Sequence, residues 1–185
     1  MPRRLLRDGR VLEDDGRYAA EAAAVSAAPG PAGYLGPLIL NFDEWQLVRE
    51  QHLFDHQRAS LRTGRQRLGV VLWPALRVEQ LATDLARLDL IALQFTGPSE
   101  GRGYSQARQL RERWQFSGEL RAMGFVRRDQ LFFMARCGFN SFELPDGDLE
   151  HAAAAFATFS AAYQPSNDAG LGARLPSRLH DMPVS

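Results

Sequence analysis

No lysine occurs among the 185 residues; all 22 basic side chains are arginine. A Walker-type phosphate loop needs a lysine on the phosphates, and Schiff-base chemistry needs the lysine amine, so neither mechanism can be run by this chain. Cysteine is nearly absent as well. Cys137 stands alone, which excludes an internal disulfide, a Cys-x-x-Cys redox pair and an iron–sulfur site held by the chain's own sulfur. That sparing use of thiols predicts a cytoplasmic protein. There is no surplus of either charge: 22 acidic residues face 22 basic ones, and without a positive field no nucleic-acid partner is expected. No run approaches the roughly 18 apolar residues of a membrane span, and Leu5-Leu6 after Arg3-Arg4 is too short for a signal-peptide core. No membrane partner is expected either.

What is present is ordinary globular usage, 45% hydrophobic and 24% charged residues, in a length that suits one domain. Asp8-Gly9 between Leu5-Leu6 and Val11-Leu12 predicts a tight hairpin, and Asp14-Asp15-Gly16 a second turn. Prolines and glycines from Ser26 to Gly36 predict a loop. Leu38-Ile39-Leu40 reads as a short strand. Asp43 with Gln46 suggests a capping box opening a helix toward Leu61, with Leu47, Phe54 and Leu61 on one face.

From Leu68 onward strand and helix alternate. Strands are expected at Leu68–Trp73, Leu90–Phe95, Glu119–Met123 and Ser141–Leu144. Helices are expected near 77–88, 104–115, 127–137 and 149–163, each with apolar residues three and four apart. Gly118 and Gly138 suit left-handed helix caps. The expected fold is therefore α/β: a mainly parallel sheet of repeating β/α units, doubly wound or a partial β/α barrel, behind a short N-terminal β-hairpin region. Residues 1–163 form one domain (1–36 hairpin and loop, 37–163 β/α units), and residues 164–185, rich in proline and glycine, a mobile C-terminal tail.

Ligands of parallel sheets bind at the carboxyl ends of strands. The loop there, Thr96 to Ser105, combines glycine backbone, hydroxyls and the amides of a helix start, which favour anions. Positions 102–136 hold eight arginines against three acids, and the forked guanidinium suits oxoanions. The expected anion-binding residues are Arg102, Gly103, Ser105, Arg127 and Arg128, the last two at the next loop–helix junction. Glu100, Tyr104 and Asp129 are the candidate catalytic acids, bases or proton donors. Arg108, Arg111 and Arg113 read as a solvated helix face. Cys137, at a helix end where the dipole disfavours a thiolate, reads as structural. His52 and His56 lie one helical turn apart, but no third ligand follows, so no metal site is expected.

The run Gly101-Arg102-Gly103-Tyr104-Ser105-Gln106-Ala107-Arg108, followed by Leu110-Arg111-Glu112-Arg113, Gly118-Glu119-Leu120-Arg121-Ala122, Arg128-Asp129-Gln130-Leu131-Phe132, Arg136-Cys137-Gly138-Phe139 and Tyr163-Gln164, closely resembles one bacterial family over residues 38–164. It is the domain-of-unknown-function family (number nine-three-four) described as a probable oxidoreductase involved in sulfite reduction. Two positions depart from its pattern: Glu100 stands where the family has Asp, and Gly124-Phe125 where it has Gly-Asp. The resemblance implies an oxidoreductase or an accessory component of assimilatory sulfite reduction. The alternative is a non-catalytic module that binds an anion or a partner of the sulfur-assimilation machinery. Implied partners are an oxoanion or phosphate-bearing small molecule and components of sulfite reductase. No cofactor is identified by the residues.

Overall fold

The computed structural model describes residues 3–18, 37–50 and 67–162. The strands are β1 (Arg4–Arg7), β2 (Arg10–Glu13), β3 (Arg17–Tyr18), β4 (Leu38–Leu40), β5 (Leu68–Leu72), β6 (Leu90–Phe95), β7 (Glu119–Gly124) and β8 (Ser141–Phe142). The helices are α1 (Phe42–Glu50), α2 (Arg102–Arg108), α3 (Leu131–Arg136) and α4 (Asp146–Ala162). The predicted hairpin forms between β1 and β2, with Asp8 at φ 49° and Gly9 at φ 77°, the left-handed pair that a two-residue turn needs.

One mixed sheet runs in the order β2-β1-β8-β7-β6-β5-β4-β3. From β3 to β8 every pairing is parallel, while β1 pairs antiparallel with both β2 and β8. Consecutive parallel strands are neighbours, with no reversal of order, so the doubly wound alternative is excluded. The sheet curls into a half-barrel. Successive crossovers of one hand place the helices on a single face. That face carries the main core: Val70, Leu72, Ile91, Leu93, Leu120 and Phe142 of the strands meet Trp45, Leu110, Met134 and Leu149 of the helices. The alternate strand residues Ile39, Val71, Leu90 and Ala92 form a second cluster on the inner face, with Tyr18 and Met123 against it.

Only three residues separate Glu13, which ends β2 at one edge of the sheet, from Arg17, which begins β3 at the other. Such a link spans no more than about 14 Å. Asp14-Asp15-Gly16 is thus more than a turn: it bridges the open side of the half-barrel. Its geometry is pinned by Asp14 N–H donating to Arg3 O at 2.7 Å, Arg3 Nη2 donating to Gly16 O at 3.2 Å, and the Arg3 guanidinium lying over the Tyr18 ring.

Several expectations are corrected. The helix near 77–88 is absent; Val78–Leu81 and Leu85–Arg87 are separate tight turns of four and three residues. Their apolar residues Val78, Leu81, Leu85 and Leu88 are buried as predicted. The interruption falls at Asp84, whose buried carboxylate accepts from Trp45 Nε1 at 3.3 Å and Arg49 at 3.4 Å. α1 is capped by Asn41 and Glu44, not by Asp43 and Gln46: Glu44 N–H donates to Asn41 Oδ1 at 2.9 Å, and Asn41 N–H to Glu44 at 2.8 Å. Leu47 is exposed, and Trp45 holds the core position instead. α2 widens into a π-turn over Gln109–Arg113. The left-handed position that follows belongs to Gln115 (φ 51°), not to Gly118. Gly118 is required for room, since a Cβ there would meet Asp89 O at 2.6 Å. Gly138 has the expected positive φ of 108°. The loop at 26–36, most of the predicted helix toward Leu61 with His52 and His56, and the tail 164–185 lie outside the described residues.

Candidate functional site

The loops after β5, β6 and β7 share the carboxyl edge of the sheet, where the sequence places the site. Phe125 N–H donates to Phe95 O at 2.8 Å, tying the loop after β7 to the end of β6. Gln106 of α2 donates to Trp73 O at 3.3 Å and Leu76 O at 2.8 Å, tying in the loop after β5. Gly103 is buried because a side chain at that point would strike the Phe95 ring, 2.6 Å from an added Cβ. Tyr104 stands next to it, edge-on to Phe95 with ring centroids 5.3 Å apart and 5.2 Å from Phe133. Burial raises the Tyr104 phenol above its ordinary range, with smaller contributions from Cys137 and Asp129.

The remaining candidates are placed less simply. The amide at the helix start that was expected to meet an anion, Arg102 N–H, donates at 3.0 Å to the Glu100 carboxylate. Glu100 thus supplies the loop's own anion. Arg127 turns to Asp129, 3.3 Å away. Its backbone N–H is held at 3.3 Å by Gln130. Arg102, Ser105, Arg127 and Arg128 are all exposed. The same edge displays three large apolar side chains: Trp73 (47% exposed), Phe125 (41%) and Phe133 (50%). Gly124 makes the outward turn of Phe125 possible. It adopts φ 86°, and a Cβ would stand 2.4 Å from Phe95 O. Cys137 is a buried free thiol at the end of α3, consistent with a structural role.

Sequence reasoning missed a polar network on the inner face. Arg121, on β7, is 1% exposed. Its guanidinium donates through Nε (3.1 Å) and Nη2 (2.8 Å) to Glu119 Oε1 and through Nη1 to Asp14 Oδ1 at 3.1 Å, with Glu143 3.6 Å away. Tyr18 donates its hydroxyl to Glu143. The other oxygen of Glu119 accepts from Arg7 at 3.0 Å and Arg67 at 3.2 Å. Burial opposes ionisation of Glu119, but Arg121, the hydrogen bonds and Arg7 outweigh it and hold the carboxyl below its usual range. Burial likewise opposes the charge on Arg121, and Glu119 and Asp14 overcome it. Tyr18 is pushed upward by burial and then by Glu143. A charged pair at alternate positions of an otherwise apolar strand, Glu119 and Arg121, was the available signal.

Arg111 also departs from expectation. It is not a solvated side chain: Nε donates to Gly138 O at 2.9 Å, Nη1 to Gly118 O at 2.9 Å and to Phe116 O, and Nη2 to Asn140 Oδ1 at 3.3 Å. The π-turn aims it at these carbonyls. Arg113 does lie on the surface, paired with Glu79 at 3.3 Å.

Fold and site together define an α/β half-barrel with an aromatic and arginine-bearing carboxyl edge and an ionic network on the inner face. The chain belongs to the family described as "Bacterial protein of unknown function (DUF934)", whose model matches residues 69–172. No curated protein matches the chain. Among the described residues, no helix is long and apolar enough to cross a membrane, and no group of three or more His, Cys, Asp or Glu is arranged to hold a metal ion.

Proposed function

We propose that this chain is an accessory component of assimilatory sulfite reduction that docks on a partner of that machinery through the carboxyl edge of its sheet. The observation that carries the docking is the grouping of exposed Trp73, Phe125 and Phe133 on one edge with exposed Arg102, Arg127 and Arg128. Large aromatic side chains in water cost free energy that association recovers, and arginine and aromatics dominate the energetics of protein interfaces. The sulfur-assimilation setting rests on the sequence resemblance. Glu100 and Asp129 are engaged with Arg102 N–H and Arg127, which supports a binding role for this edge over acid–base chemistry. The oxidoreductase reading would rest on a bound redox group with Tyr104 as the nearby proton donor. An anion held by Arg102, Gly103, Ser105, Arg127 and Arg128 would belong to either reading.

Binding of the purified chain to each sulfite reductase component, by biolayer interferometry, tests the proposal. Phe125→Ala and Phe133→Ala should each weaken binding roughly tenfold, the effect of a modest interface anchor. Absence of binding to every component would overturn it. Calorimetric titration with sulfite of the wild type and Arg102→Ala tests the anion separately. A loss of 10- to 100-fold is expected if one charge-assisted bond of about 1.5–3 kcal/mol is removed.

A further inference from the structure

We propose that the inner face of the half-barrel, at the carboxyl end of its strands, binds a small organic ammonium ion: a protonated amine on a flat apolar body, with a hydrogen-bond donor at the far end. Gln94 pairs with Met123 across β6 and β7. Ala122 pairs with Phe142, and Glu143 N–H donates to Ala122 O at 2.9 Å, so Glu143 comes level with Met123. Gln94, Met123 and Glu143 thus form one row over three adjacent strands, roughly 10 Å from end to end. Met123 packs with Tyr18 on the buried inner cluster of Ile39, Val71, Leu90 and Ala92, which makes a dry floor. Alternation along β6 puts Gln94 on the same face as Leu90 and Ala92. The three residues of the row are themselves partly exposed.

One end of the row carries an under-compensated charge. Three carboxylates, Glu119, Asp14 and Glu143, crowd the buried Arg121 guanidinium. Its hydrogen bonds go to Glu119 and Asp14, while Glu143 stays at 3.6 Å with its side chain 28% exposed. Arg7 and Arg67 approach the Glu119 carboxylate instead, and Arg3 lies over the Tyr18 ring and donates to Gly16 O. The Tyr18 hydroxyl donates to Glu143 Oε1, which leaves Oε2 for a cation. At the other end, Gln94 Nε2 donates to Phe95 O at 3.3 Å, so the amide offers its oxygen, an acceptor, to a ligand. A Cβ at Gly124 would stand 2.1 Å from that Nε2; the glycine keeps this amide orientation open. Carboxylate, thioether and amide oxygen in line match an ammonium, a flat stem and a terminal hydroxyl. An anion would face the Glu143 charge.

Calorimetric titration with tyramine, tyrosol and methylammonium separates the parts; tyrosol is tyramine with a hydroxyl in place of the ammonium. Tyramine should bind saturably at one site, and each of the other two at least tenfold more weakly. Glu143→Gln should weaken tyramine at least tenfold, the effect of losing a charge-assisted bond. Gln94→Leu leaves the ionic network intact. It should weaken tyramine about fivefold, as loss of one neutral hydrogen bond does, and leave phenethylamine, which lacks the phenol, unchanged. Thermal melts report whether each variant is folded. Phe133→Ala, on the docking edge, should bind tyramine as wild type does, so failure of this site and failure of the proposed function can be told apart. No tyramine binding by the wild type, equal binding of tyrosol, or undiminished tyramine binding in folded Glu143→Gln or Gln94→Leu would overturn the proposal.

Discussion

Arg121, fully buried, faces three acids: Glu119, Asp14 and Glu143. Its partners Glu119 and Asp14 are buried with it, so removing the guanidinium leaves carboxylates in a poor solvent with their main counter-charge gone. Arg121→Met should destabilise the fold by about 3–5 kcal/mol in urea unfolding. The double variant with Glu119→Gln should lose much less than the sum of the singles, because the two residues share one network. Cys137 belongs at this scale too. Buried at a helix end, it should react with a thiol reagent only as fast as the fold opens, and Cys137→Ser should keep partner binding; rapid labelling at neutral pH would contradict this. Beyond the Glu119 and Arg121 pair, the ionic network was not legible in the sequence. Glu119 and Arg121 alternate on one strand, but Glu143 reaches them through strand pairing and positions 14 and 18 only through the curl of the sheet. The same holds for Arg111, whose carbonyl partners lie on two later loops.

Elements were far more legible than contacts. The strands Leu38–Leu40 and Leu90–Phe95 appear with the predicted bounds, and Leu68–Leu72, Glu119–Gly124 and Ser141–Phe142 shift only at their ends. Apolar runs of strand length between turn residues announce themselves by local sequence alone. The helix near 77–88 failed because its three-and-four spacing reports which residues face the core, and two tight turns can satisfy that spacing as well as one helix. What interrupts it, the inward turn of Asp84 to Trp45, is a contact between residues 39 positions apart. Within β7, the final glycine decides how the carboxyl edge of the sheet is built. Gly124→Ala would force a side chain into left-handed backbone and against Phe95 O. A loss of about 1–3 kcal/mol is expected by urea titration, together with weakened partner binding as Phe125 is displaced.

At the scale of the whole molecule, the order of the strands separates the half-barrel from a doubly wound sheet, a distinction that periodicity does not encode. The buried carboxylate of Glu119 beneath the bridge at residues 14–16 sets an acid limit. Glu119 has a folded-state pKa below its unfolded value near 4.3, so its contribution is fully present above that value and is lost as pH falls through the folded one. Melting temperature should be flat near neutrality and drop below about pH 5, less steeply in Glu119→Gln. Asp14→Ala should cost on the order of 2 kcal/mol at neutral pH, since a charge-assisted bond is lost while Arg121 keeps Glu119. The pairing of β1 with β8 has a consequence in time. Leu6 is opposite Phe142, so β1 leaves a ribosome well before the strand it pairs with. At roughly 5–20 residues per second, the intervening stretch takes on the order of 10 s to synthesise. Through that interval the hairpin's inner edge has no partner. β8, two residues long, is therefore the event that completes the pairing of β1.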